Sequence, residues 1–89
     1  MKAVVTVVGK DRTGIIATVS GLLYKNDVNI LDITQTIMQD IFTMITLIDT
    51  TNSKLDFAEL KAELEKVGDN LGVAITLQQE DLFNSMHRI

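Results

Sequence analysis

The sequence predicts an α+β fold, a four-stranded antiparallel sheet with two helices on one face, built in the order βαββαβ. Three observations carry this. A valine-rich run near the start hands over, through a glycine-flanked loop, to a helical stripe. A long β-rich block over 30–49 is broken by a single turn-like pair. A strongly amphipathic helix and a short alternating strand then close the pattern. Eighty-nine residues with 46% hydrophobic and 22% charged side chains suit one globular domain, near the lower size limit for a self-sufficient core.

Taken in order, Lys2 to Val8 carries Val4, Val5, Val7 and Val8, apolar on both faces, which is the pattern of a central strand. Ile15, Ile16, Val19, Leu22 and Leu23 then recur at helical spacing. Asn26-Asp27 ends that helix, because both side chains compete for the helical backbone. In Ile30 to Asp49, period two places Leu31, Ile33 and Ile37 on one face, with Gln35 between them. Further on it places Phe42, Met44 and Ile48 opposite Ile41, Ile45 and Leu47. Gln39-Asp40 predicts a tight hairpin between the two halves.

Thr50-Thr51-Asn52-Ser53 reads as a loop. Ser53-x-x-Asp56 and Asp56-x-x-Glu59 both have capping-box spacing, so either Ser53 or Asp56 starts the second helix. Phe57, Leu60, Leu64, Val67 and Leu71 form its apolar stripe, and Gly68 and Gly72 bracket its end. Val73, Ile75 and Leu77 alternate inward to Gln78. Two right-handed crossovers put both helices on one side of the sheet, the ferredoxin-like arrangement. The first and third strands carry more apolar surface than one helix layer covers. A homodimer or larger assembly is therefore expected on the bare face.

Composition excludes several classes of function. With net charge −4 and pI 4.7, only eight scattered Lys and Arg, and one Tyr and three Phe, no nucleic-acid partner is expected. The absence of cysteine removes thiolate metal sites and Cys nucleophiles, and fits a reducing compartment. No apolar run approaches a membrane span and residues 1–8 are too short for a signal peptide, so the expected location is the cytoplasm, with no membrane partner. The lone His87 has no neighbour to share a metal, and no metal, cofactor or Ser-His-Asp chemistry is expected.

The loop Gly9-Lys10-Asp11-Arg12-Thr13-Gly14 and the run Val28-Asn29-Ile30-Leu31-Asp32-Ile33-Thr34-Gln35, with the element order, resemble the ACT domain family. The similarity covers residues 1–79 and is strongest to short stand-alone members and to modules of the glycine-cleavage repressor type. Residues 80–89 remain as a tail, in which Leu82, Phe83, Met86 and Ile89 are spaced for a short docking helix. The resemblance implies a non-catalytic regulatory protein binding an amino acid or similar effector at a subunit boundary, with a further protein partner in trans allowed. The candidate ligand-binding residues are Gly9, Asp11, Arg12, Gly14, Asn29 and Asp32, of which the resemblance implies roles for three. Asp11 would meet the ligand's amino group, Asn29 would reach it from the neighbouring protomer, and Gly14 would allow close approach at the helix start. Gly9 departs from the bulkier polar residue that some amino-acid-binding members carry there.

The residues themselves leave alternatives open. A helix N-terminus offers free N–H groups to a carboxylate, and Asp11 offers an acceptor to an ammonium. Asp11 is equally suited to an Asx-turn that caps the helix. Arg12 reads as solvated or paired with Asp32 or Asp49, and Asn29 as a turn-closing residue. Asp32 and Gln35 either guard a sheet edge or line a dimer seam. Two rival functions remain. One is an acylphosphatase-like enzyme using Arg12 and Asn29, against which the carboxylate of Asp11 speaks. The other is a ligand-free protein-interaction module.

Overall fold

Alternation along the strands sorts the sheet into two faces. The computed structural model describes residues 1–86, and within them the chain forms β1 (Lys2–Lys10), α1 (Ile15–Lys25), β2 (Asn29–Met38), β3 (Ile41–Asp49), α2 (Phe57–Leu71), β4 (Val73–Gln79) and α3 (Glu80–Met86). The sheet order is β2-β3-β1-β4, antiparallel throughout. Ala3, Val5 and Val7 lie beside Ile48, Thr46 and Met44 on one flank and Gln79, Leu77 and Ile75 on the other. All but Gln79 are buried. The apolar members share one core with Ile15, Val19 and Leu23 of α1 and Leu60 and Leu64 of α2. Both helices therefore cover the same face, as right-handed crossovers require. His87 and Ile89 lie outside the described residues.

One buried member of that face is polar. Thr46 is buried beside Val5, and among the described residues its Oγ1 has no hydrogen-bond partner. Burying a hydroxyl without a partner costs about 1–3 kcal/mol. Thr46→Val keeps the shape and removes the cost, so chemical denaturation should show the variant about 1 kcal/mol more stable than the parent.

Both helices end through local chemistry. After α1 the backbone turns left-handed at Asp27 (φ 59°), the Val28 N–H donates to the Leu23 carbonyl at 2.9 Å and the Asp27 N–H to Tyr24 at 3.1 Å. This is a Schellman closure. Asp56 caps α2 with a full capping box: its Oδ1 accepts from the Glu59 N–H at 2.8 Å, and Glu59 Oε1 accepts from the Asp56 N–H at 3.0 Å. Ser53 instead exchanges hydrogen bonds with the Leu55 backbone. Gly72, at φ 73°, closes the helix. Gly68 does not belong to that stop; α2 runs through it, and its role is close approach to β4.

Two strand details differ from the period-two count. β1 continues through Gly9 to Lys10, paired there with Phe42 and Ile41, so the loop proper is only 11–14. A bulge between Ile30 and Asp32 shifts β2. Ile30 therefore packs against the core, while Leu31 is exposed. The hairpin is as expected, with Met38 paired to Ile41 across Gln39-Asp40 and Gln39 at φ 58°. On the face away from α1 and α2, Val8, Ile41 and Ile45 are exposed and Leu47 is half-buried. Val4 on that face is buried, and α3 packs on β1 and β4. No helix among the described residues is long and apolar enough to cross a membrane.

Candidate functional site

The loop after β1 and the start of α1 form one wall of a groove. The Asp11 N–H donates to the Asp40 carbonyl at 2.9 Å, which fastens the loop to the β2–β3 hairpin. Gly14 then stands as the N-cap of α1 at φ 92°, a conformation that favours glycine. No side chain caps this helix, so the capping role open to Asp11 is not the one it takes. The first intrahelical bond runs from the Thr18 N–H to Gly14 at 2.9 Å. The N–H groups of Ile15, Ile16 and Ala17 thus have no acceptor within the helix.

The groove holds about 230 Å³. Asp11, Arg12, Gly14 and the first helical residues line one side, and Gln35, Ile37 and Phe42 line the other. Phe42 and Ile15 are buried and supply apolar surface, while Asp11, Arg12 and Gln35 are exposed and polar. Such a mixture can take a small ligand with charged ends and an apolar body. In the sequence Gln35 reads as a polar strand residue that guards a sheet edge or lines a dimer seam, not as a groove residue. Its pairing with Met44, deep in the sheet, is what brings it opposite the loop.

Arg12 is exposed, and it is not ion-paired with Asp32 or Asp49. Its Nη1 donates to the Leu71 carbonyl at 3.1 Å, where a cation complements the C-terminal end of α2. Gly9 is not on the groove wall. It lies between Phe42 and Val73 in the sheet, and a Cβ there would fall 2.7 Å from Val73 Cγ1 and 3.0 Å from its Cα. Steric room beside β4 accounts for this glycine.

Asn29 and Asp32 lie elsewhere. Asn29 pairs with Asp49, which in turn pairs with Lys2, so it stands at the end of the sheet opposite Asp11. The length of β2 separates the two residues by roughly 25–30 Å. Asn29 borders a separate hollow with Tyr24, Asp27 and Asn52. At that end the Thr51 hydroxyl donates to Asp49 at 2.6 Å and the Thr51 N–H at 3.0 Å, which holds the Asp49 carboxyl below its ordinary pKa. Asp32 is exposed just past the bulge, opposite Leu47, and borders neither hollow. Arg12 and Asn29, the pair an acylphosphatase-like site needs, are likewise at opposite ends and do not converge within one chain.

Comparisons with known proteins agree on the fold. The sequence profile of the ACT domain matches residues 2–78. A UPF0237 protein of Methanocaldococcus jannaschii is 57% identical over 88 residues, covering 99% of this chain and 98% of its own. An ACT domain protein from Streptococcus pneumoniae superimposes with a TM-score of 0.81 at 43% identity, over 93% of each chain. A candidate glycine cleavage system transcriptional repressor superimposes at 0.74 and 24% identity, over 86% of this chain and 44% of its own, and shares the fold.

Proposed function

The chain belongs to the ACT domain family, and from that premise we propose that it is a non-catalytic cytoplasmic regulator that binds an amino acid or similar small metabolite between two copies of itself. The observation that carries this reading is the groove, where an uncapped helix start, the Asp11 carboxylate and apolar surface from Ile15 and Phe42 meet. The free N–H groups at Ile15 to Ala17 suit a carboxylate, and Asp11 suits the ammonium of the same zwitterion. Gln35 adds an amide able to donate and accept. Gly14 leaves the approach open. Arg12 shapes the wall but is already committed to the Leu71 carbonyl.

Asn29 fits the same ligand only across two protomers, because within one chain it stands at the far end of β2. In this reading the site is completed by a second copy, and a role for Asp32 would need the same. A ligand bound there acts by favouring one arrangement of the pair, since it biases only states that it binds unequally. Output then passes to a partner in trans. A second reading, a ligand-free interaction module, draws on the exposed Val8, Ile41 and Ile45 of the open sheet face.

The test is a thermal-unfolding screen against the protein amino acids. A ligand at 100 times its dissociation constant adds about 2.7 kcal/mol, which raises the midpoint by roughly 10 °C or more in a domain of this size. Asp11→Ala should abolish the shift with little change in its own midpoint, because the side chain is exposed. No shift from any amino acid would leave the interaction module as the better reading.

A further inference from the structure

Helix α2 ends without a cation of its own. Its last turn holds no basic residue and carries Asp69, although the carbonyl groups freed at a helix C-terminus attract positive charge. The missing cation comes from fifty-nine residues away. Arg12, in the loop between β1 and α1, donates from Nη1 to the Leu71 carbonyl at 3.1 Å. Directly after that carbonyl the chain turns left-handed at Gly72 (φ 73°), whose N–H donates to the Gly68 carbonyl, and enters β4.

The loop depends on remote partners in the same way. No side chain caps α1. Among the described residues, two hydrogen bonds tie residues 11–14 to elements other than α1. One runs from the Asp11 N–H to the Asp40 carbonyl at 2.9 Å, and the other is the Arg12 contact with Leu71. Arg12 is exposed, so its bond adds little to global stability. Its leverage is local, on a short loop with few anchors, where opening is cheap and one bond weighs heavily.

We propose that Arg12 is a positioning residue that couples the groove loop to the turn between α2 and β4, so that ordering one orders the other. A ligand that stiffens residues 11–14 then protects the turn at Leu71 to Val73 as well. Anything that binds the turn feeds back on the groove with the same free energy. Leu71, Gly72 and Val73 are not part of the groove lining, so occupancy gains a readout at a second surface of the same chain. That consequence rests on the groove as the binding site proposed above; the coupling itself needs no ligand.

Native-state amide exchange, read by ¹⁵N NMR on the full chain without ligand, tests the coupling with one reporter at each place. The Asp11 N–H reports on the loop and the Gly72 N–H on the turn. The Val28 N–H, bonded to the Leu23 carbonyl at the far end of α1, is the control. Arg12→Ala should speed exchange at both Asp11 and Gly72 by about fivefold and change Val28 by less than about twofold. Arg12→Lys should recover most of the protection, because the contact uses a single donor. Gly72→Ala probes the reverse direction: it strains a left-handed position without a clash, since nothing lies within 4 Å of an added Cβ. It should speed Asp11 exchange by about fivefold in the parent and leave it unchanged in the Arg12→Ala background.

Faster exchange at Gly72 alone would reduce Arg12 to a local cap, and equal acceleration at all three amides would mark general destabilisation. Either result overturns the proposal. So would an Asp11 response to Gly72→Ala that survives the loss of Arg12, because the coupling would then run through the contact of Gly9 with Val73. A failed amino-acid screen beside the expected exchange result would remove the ligand and leave the coupling standing.

Discussion

Gly68→Ala should destabilise the fold by about 2–3 kcal/mol, lowering the thermal midpoint by about 10–20 °C. On helix propensity alone the change would stabilise by up to about 1 kcal/mol, so the sign is diagnostic. A Cβ at Gly68 would lie 2.7 Å from the Val73 carbonyl oxygen and 3.2 Å from Ile75 Cγ1. The nearest clash is with backbone, which cannot rotate away as a side chain can. Relief requires α2 to lift from β4, and that opens the contact between Leu64, Ile75 and their neighbours in the shared core. Gly21 in α1 is the internal control: nothing lies within 4 Å of its Cβ, so Gly21→Ala should raise the midpoint. Differential scanning calorimetry on the two variants decides the matter. A Gly68→Ala protein as stable as the parent would contradict the close approach of α2 and β4.

Leu60→Ala should cost more, about 3–4 kcal/mol. Leu60 is fully buried on the core-facing stripe of α2, one turn before Leu64. Truncation removes apolar surface from the core and leaves a cavity between helix and sheet that the neighbouring strands can only partly fill. Small domains hold roughly 5–15 kcal/mol in total, so this single change removes a large share of it. In urea the midpoint should fall while the slope of the transition stays constant, as expected when stability changes and the exposed surface does not. The comparison belongs at one protein concentration, because self-association adds to apparent stability. A loss below about 1 kcal/mol would mean that α2 does not close the core.

The elements were legible where one physical signal dominated. The stripe of α2, the capping box at Asp56 and the alternation of Val73, Ile75 and Leu77 each follow from local periodicity or local hydrogen bonding, and the structure has them. Misreadings arose where the deciding contact was distant. Gly68 resembles a helix stop in the sequence, and only the position of Val73 shows that it is a contact point. The close approach of Gly9 to Val73 is likewise set by strand pairing and is not visible in the sequence. The bulge after Ile30 is invisible to a period-two count, because an extra residue changes which face follows without changing composition.

The candidate site divides along the same line. Asp11, Arg12 and Gly14 are neighbours in sequence and stay neighbours in the groove. Gln35 joins them only through strand register, and Arg12 finds its acceptor at Leu71, fifty-nine residues on. Asn29 was grouped with Asp11 by resemblance, and the strand order places the two at opposite ends of one sheet. Only a site shared between two copies would bring them together, as the proposed function requires.

The most direct test of the account is a two-dimensional ¹⁵N NMR titration with the amino acid that gives the largest thermal shift, or with each in turn at millimolar concentration. The backbone amides of Asp11 to Ala17 and of Gln35 to Ile37 should move together and saturably, and Asp11→Ala should abolish the movement. Spectra that no amino acid changes, or changes centred on another surface such as the Tyr24–Asn52 hollow, would contradict it.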